Sequence, residues 1–323
     1  MVIEFESKDG TGLLSSFAEV LGTNIVEGQI VIPSHLGNGY VKGYNLNNSI
    51  RMMVRDYELK EDLFIRRKVT DKSIRNVAFS FHHILTKNTQ REGALNQLPS
   101  VQIATGGMDY EMFFPSSVKI SAIVISIDLA YLQTLIGDIS ENTFLSQLLE
   151  KSQPSIFEEL ISPRLQEVAQ EIVEAAVPKI LEPFFLKLKA EELVCLTLSE
   201  LLKRESKSAF HSLNIQDVQK IYEIRNQMLA DLSKPPLVAD LAKKATMSES
   251  KLKRIFKQIF GDSIYSYYQK FRIQSAANLL QQGNMSVSEV GYRLGFTNLS
   301  HFSQVFEEQI GVKPKRFSQN KIK

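Results

Sequence analysis

Cysteine is nearly absent from this chain: among 323 residues there is one, Cys195. A lone thiol closes no intramolecular disulfide. Cys195 also sits in the apolar run Glu192-Leu193-Val194-Cys195-Leu196-Thr197-Leu198, where a small buried hydrophobe is expected rather than a redox group. Long hydrophobic runs are absent too. The most apolar stretch, Ile120 to Ile127, is broken by Ser121 and Ser126 and is far too short to cross a bilayer. At the N-terminus, Glu4, Glu6, Asp9 and Gly10 stand where a signal peptide needs a basic segment and then a long apolar one. A cytoplasmic protein without a membrane partner is expected. Glycine (16) and proline (10) are too few for a low-complexity or collagen-like chain, and 43% apolar with 23% charged residues is ordinary for a globular one. The length exceeds what one hydrophobic core needs, so two or three domains are expected.

A net charge of one sign is also missing. The 38 Lys+Arg against 36 Asp+Glu leave +2, which taken alone speaks against a polyanionic partner. The sum hides an asymmetry. Residues 213–323 hold 17 basic and 9 acidic side chains, residues 1–212 hold 21 and 27, and the two parts therefore carry +8 and −6. A basic C-terminal third on an acidic remainder is the pattern of a nucleic-acid module joined to a domain with another task.

No nucleophile, acid–base pair or metal-ligand spacing stands out, so neither an enzyme nor a metal or other cofactor is expected. The pair His82-His83 would point to opposite sides of a strand, and no carboxylate partner follows it. His35 in a turn and His211 in a polar segment read as surface residues, and Gly106-Gly107 is an isolated pair rather than a phosphate-binding fingerprint.

From Gln29 to about Ile127 the chain shows short β-branched and aromatic runs between turns: Gln29–Ile32, Tyr40–Tyr44, Ser49–Tyr57, Asp62–Val69, Ile74–Leu85, Gln102–Ala104 and Val118–Ile127. Many short strands at this spacing predict a sandwich or small barrel. Val77, Phe79, Phe81 and His83 alternate with Ala78, Ser80 and His82, which marks one strand face as the lining of a core or pocket. After Asp128 the period changes to three and four. Leu129-Leu132-Leu135-Ile136, Leu165–Ala176 and Ile180–Lys203 predict amphipathic helices. The last has an apolar face broader than one neighbour requires, which leaves open packing on the strand domain or pairing between chains. Arg204 to Asn214 is polar and weakly periodic and reads as a linker.

The C-terminal region holds two similar units. In the first, Leu237–Lys244 is a helix, Ala245-Thr246-Met247 a turn, and Ser248 an N-cap for a second helix that ends at Gly261. At 100° per residue Leu252, Ile255, Phe256 and Ile259 gather on one side, with Ser250, Lys253, Arg254 and Lys257 nearly opposite, on the face free to enter a major groove. In the second unit Ser286-Val287-Ser288-Glu289 is a capping box, and Gly295-Phe296-Thr297 turns into a helix from Asn298 to Gln309. There Phe302, Val305 and Phe306 form the buried stripe, and Ser300, Ser303, Gln304 and Glu307 face outward. Between the units, Ser263–Gln282 makes a helix about 30 Å long. Successive major-groove faces lie about 34 Å apart, so one chain can address two of them.

Residues from about Val218 to Phe317 resemble the DNA-binding domain of the AraC/XylS family of bacterial transcriptional regulators. The resemblance is carried by Leu241-Ala242-Lys243-Lys244-Ala245-Thr246-Met247-Ser248, by Leu252-Lys253-Arg254-Ile255-Phe256-Lys257, by the run from Leu294 to Phe306 and by the closing Gly311-Val312-Lys313-Pro314-Lys315-Arg316-Phe317. It implies seven helices carrying two helix-turn-helix units. Base readers would be Ser250, Lys253 and Arg254 in the first recognition helix and Ser300, Ser303 and Gln304 in the second, with Lys257 as a further DNA contact. Three positions depart from the family: Thr246 stands where glycine is usual, Gln304 and Glu307 where many members are basic, and Ser318 where arginine is frequent. The second recognition helix has no Lys or Arg, so the first unit is expected to supply most of the phosphate attraction.

The fold expected from these features is α+β. By family analogy, a strand-rich, cupin-like β-barrel sensory domain occupies residues 1–128 and a helical dimerisation or packing region 129–204. A linker at 205–214 leads to an all-α DNA-binding domain at 215–323. The implied function is an effector-responsive transcriptional activator that acts as a homodimer on promoter or operator double-stranded DNA, with RNA polymerase and a small-molecule effector as further partners. Two other classes stand beside it. One is a DNA-targeted enzyme, which the lack of clustered Cys or His in residues 1–212 disfavours. The other is a ligand-free structural dimeric DNA-binding protein whose strand domain has a filled interior.

Overall fold

The computed structural model describes residues 1–6, 12–68, 76–84, 98–105, 110–137, 145, 155–203 and 213–319. The chain forms two compact units, one from residues 1–92 and 99–215, the other from residues 216–323 with 93–98.

In the first unit the strands are β1 (Val2–Glu6), β2 (Gln29–Val31), β3 (Gly37–Asn45), β4 (Ile50–Leu59), β5 (Leu63–Lys68), β6 (Asn76–His82), β7 (Ser100–Thr105), β8 (Tyr110–Phe114), β9 (Lys119–Asp128) and β10 (Ser155–Leu160). Its helices are α1 (Leu13–Val20), α2 (Leu129–Ile136), α3 (Pro163–Val173) and α4 (Glu182–Leu202). Seven strands make a sheet of order β10-β7-β6-β9-β4-β3-β2, and β1-β5-β8 make a second, three-stranded sheet. Among the described strands no pairing joins β10 back to β2, so the large sheet is open where a closed barrel was expected. The coarser expectation, a strand-rich N-terminal part followed by helices, matches the structure.

Strand pairing explains which side chains are buried. Ile50, Met52 and Val54 of β4 lie opposite Ile127, Ile125 and Ile123 of β9, and Val77, Phe79 and Phe81 of β6 continue the same face. That face forms one core with Leu165, Val168 and Ile172 of α3 and Leu186, Ala190, Leu193 and Leu201 of α4. Tyr57, an odd number of residues beyond Val54, points to the other side of the sheet. There it joins Val41, Leu59 and Ile120 in a second core with Phe17 of α1 and Ile3, Leu63 and Ile65 of the small sheet. The Tyr57 hydroxyl is buried and has no hydrogen-bond partner among the described residues, and burial pushes its pKa up to about 12.

Two expectations are corrected. Cys195 is exposed rather than buried. The core side of α4 is set by Leu186, Ala190, Leu193, Val194 and Leu201, and Cys195 lies two residues, about 200° of helical rotation, from Leu193. His83 does not extend the apolar face of β6, because the strand ends at His82 and His83 turns away with φ 56°. The segment read as a linker lies outside the described residues from 204 to 212. Among the described residues no helix is long and apolar enough to cross a membrane.

The second unit is helical: α5 (Ile215–Ala230), α6 (Val238–Ala245), α7 (Glu249–Phe260), α8 (Ile264–Gln282), α9 (Val287–Arg293), α10 (Leu299–Ile310) and α11 (Pro314–Gln319). Aromatic rings hold it together. Phe256 meets Tyr267 edge-on at 5.4 Å and Phe260 at 4.6 Å, while Phe302 packs with Phe296 at 5.0 Å and Phe306 at 5.8 Å.

Candidate nucleic-acid interface

The first helix-turn-helix is α6, a turn and α7. Thr246, which closes α6, has φ 53° and ψ 43°, the left-handed conformation that glycine adopts without penalty and an L side chain only at about 1–2 kcal/mol. Its hydroxyl accepts a hydrogen bond from Lys220 Nζ at 2.7 Å and donates to the Ala245 carbonyl at 2.6 Å. Ser248 then caps α7, accepting from the Lys251 amide at 3.3 Å, and Gly261 ends the helix at φ 77°. Leu252, Ile255, Phe256 and Ile259 are buried, so the rotation of α7 is settled by its apolar side. Ser250, Lys253, Arg254 and Lys257 are all exposed.

These outward residues differ electrostatically. Lys253 pairs with Glu249 one turn back at 3.2 Å, an exposed contact of little energetic weight. Lys251 is drawn sideways to Asp217 of α5 at 2.8 Å. Among the described residues Arg254 and Lys257 have no carboxylate partner, which leaves their charge available to a ligand.

The second helix-turn-helix is α9, a turn and α10. The Ser286 hydroxyl accepts from the Glu289 amide at 3.3 Å, and the Glu289 carboxylate accepts from the Ser286 amide at 2.7 Å. The latter bond holds the Glu289 carboxyl below the usual carboxylate range. Gly295 turns at φ 77° against the backbone of Ser233, and a Cβ there would collide with the Ser233 carbonyl. Asn298 caps α10 by accepting from the Ser300 and His301 amides at 2.9 and 3.1 Å. Phe302 and Phe306 are buried, but Val305, expected in the same stripe, is only half-buried. Ser300, Gln304 and Glu307 are exposed and Ser303 is half-buried. Gln304 donates to Glu308 at 3.0 Å, so the outer face of α10 presents amide, hydroxyl and carboxylate groups.

Several positioning contacts were not anticipated from sequence. Arg272 of α8 is 3% exposed; its Nε and Nη2 donate to the Leu294 carbonyl at 3.0 and 2.7 Å, and Nη1 donates to Gln269 at 2.7 Å. Burial draws its pKa down. The Tyr268 hydroxyl, pushed up to about 12 by burial, donates to the Leu232 carbonyl at 2.7 Å. A basic side chain between two apolar neighbours in α8 is the one sequence signal that could have pointed to the Arg272 clamp. The partners of Lys220 and Lys251, Thr246 in the turn and Asp217 on α5, lie far along the chain and gave none.

Residues 241–320 match a protein family described as a helix-turn-helix domain. The HTH-type transcriptional activator RhaR of Yersinia pseudotuberculosis is 30% identical over 132 residues, 41% of this chain and 46% of RhaR. The HTH-type transcriptional regulator GbdR of Pseudomonas aeruginosa is 35% identical over 96 residues, 30% of this chain and 26% of GbdR. The chain thus spans less than half the length of these curated relatives. Among solved structures, a transcriptional regulator from Chromobacterium violaceum, described by AraC-type DNA-binding domain-containing proteins, is 28% identical. The match covers 34% of this chain and 98% of that one, with a TM-score of 0.32.

Proposed function

We propose, from the premise that the C-terminal helices form a helix-turn-helix domain of the AraC type, that this protein is a sequence-specific DNA-binding transcriptional regulator acting as an activator. The observation that carries the proposal is the outer face of α7, where Arg254 and Lys257 stand exposed and, among the described residues, without carboxylate partners on a helix capped at both ends. Arg254 offers a bidentate donor fork to guanine, Ser250 and Lys253 are further base readers, and Lys257 is a phosphate contact. Ser300, Ser303 and Gln304 of α10 read bases through hydroxyl and amide groups, with little phosphate attraction. The name of RhaR, a transcriptional activator, supports activation over repression.

In this proposal residues 1–128 are a sensory domain related to cupin-like barrels that takes a small-molecule effector. Residues 129–204 are a dimerisation region and 205–214 a linker. Double-stranded promoter DNA and RNA polymerase are the macromolecular partners of a cytoplasmic, non-enzymatic protein. Homodimer formation is supported by α4, where Leu188 and Leu202, with Leu181 just before the helix, share an exposed stripe with Cys195 at seven-residue intervals, the repeat of a helix-pairing seam.

Selection of duplexes from a random pool by the full chain, followed by sequencing, tests the function. Enrichment of a defined site is expected. A pool indistinguishable from its input would sink the proposal.

A further inference from the structure

The turn of the first helix-turn-helix holds a β-branched residue, Thr246, in the left-handed region at φ 53°. Such a conformation persists where its surroundings over-determine it. Its side-chain partner here comes from α5, the first helix after the 205–214 segment: Lys220 Nζ donates to Thr246 Oγ1 at 2.7 Å, and that hydroxyl in turn donates to the Ala245 carbonyl at 2.6 Å. Three residues earlier on the same face of α5, Asp217 receives Lys251 Nζ at 3.0 Å through Oδ1 and 2.8 Å through Oδ2. Lys251 belongs to the first turn of α7. One face of α5 therefore grips both the turn and the start of the recognition helix.

We infer that Lys220 and Asp217 are positioning residues for DNA recognition. By holding Thr246 left-handed and Lys251 sideways, they set the angle at which α7 leaves the turn, and so tie the aim of Ser250, Lys253 and Arg254 to the placement of α5. With glycine at 246 the turn would form unaided. Threonine carries strain there that the Lys220 contact helps to offset, beside the backbone bonds from the Thr246 amide to the Lys243 carbonyl at 3.1 Å and from the Met247 amide to the Ala242 carbonyl at 3.0 Å. The inference rests on the DNA-binding reading of α7, but the tether itself can be tested without DNA.

The discriminating experiment is a double-mutant cycle on the full chain, with Lys220→Ala, Thr246→Gly and the pair titrated on the selected duplex and on a scrambled one at several salt concentrations. Lys220→Ala alone is expected to weaken cognate binding about tenfold with an unchanged salt slope, since a positioning residue neutralises no phosphate. In the Thr246→Gly background the same change should matter less than about twofold, because the strain that Lys220 restrains is gone. Asp217→Asn should weaken cognate binding, and Asp217→Glu should restore it. Equal losses from Lys220→Ala in both backgrounds, or a salt slope reduced by about one with a matching loss on scrambled DNA, would make Lys220 a phosphate contact and overturn the inference. If no duplex is bound at all, the function proposed above fails. Amide hydrogen exchange at residues 246–251 then decides the tether, and unchanged protection in Lys220→Ala overturns it.

Discussion

The guanidinium carbon of Arg272 lies 3.7 Å from the ring centre of Phe296, stacked on the aromatic that opens the second turn while its nitrogens bind the Leu294 carbonyl two residues earlier. A planar fork meets both demands at once, whereas an ammonium can donate to the carbonyl or approach the ring but has no plane to stack on it. Arg272→Ala should destabilise the protein by about 3 kcal/mol, because the Leu294 carbonyl is left unpaired and the stack is lost. Arg272→Lys should recover little of that in urea unfolding. Recovery to within about 0.5 kcal/mol of wild type would show that charge, not the fork, is what α8 requires.

Arg254 and Lys257 share the outer face of α7 but should fail differently. Arg254→Ala is expected to lose about 1–3 kcal/mol of discrimination between cognate and scrambled duplexes. Lys257→Ala should weaken both alike and lower the salt slope by about one. Titrations at fixed salt separate the two outcomes, and equal losses on both duplexes for Arg254→Ala would remove its role in reading bases.

Asp231, in the connection between α5 and α6, accepts from the Ser233 hydroxyl at 2.5 Å and the Ser233 amide at 3.0 Å and pairs with Lys234. These contacts, the hydroxyl first, hold its pKa down at about 2. A carboxyl depressed in the folded state stabilises the fold above its unfolded pKa, near about 3.9, and that contribution fades as pH falls from there toward the folded value. The stability gap between wild type and Asp231→Asn should therefore be constant above about pH 5 and narrow in stronger acid. A gap that stays the same through acid would place the contribution elsewhere.

Leu188, in the exposed stripe of α4, is directed away from the core face of Leu186 and Ala190. Leu188→Glu should leave the thermal unfolding midpoint nearly unchanged and convert a dimer to a monomer in light scattering. A dimer that survives the substitution would take the stripe out of the interface.

The caps of the second unit were legible because they obey local rules. Ser248, Gly261 and Ser286 with Glu289 each satisfy or terminate a helix within four residues of themselves, and the apolar stripe of α7 and the Phe302 and Phe306 positions of α10 follow from helical rotation alone. The outward placement of Ser250, Lys253, Arg254 and Lys257 was readable for the same reason, and Thr246 stood out because the family it resembles usually has glycine there. Strands β1 and β10 were not legible. Val2–Glu6 is a short segment with two acids whose extended state depends on a parallel neighbour at Leu63–Lys68, and Ser155–Leu160 depends in the same way on Ser100–Thr105.

Helix ends, periodicity and charge division were thus determined by the sequence by itself, since each is settled among residues a few positions apart. Tertiary structure alone decided which side of α4 met the sheet, and with it the exposure of Cys195. It also brought Lys220 to Thr246 across 26 positions and Asp217 to Lys251 across 34. Those outcomes hang on packing between elements, where a single side chain's partner is fixed by the rotation and docking of whole helices rather than by its neighbours in the chain.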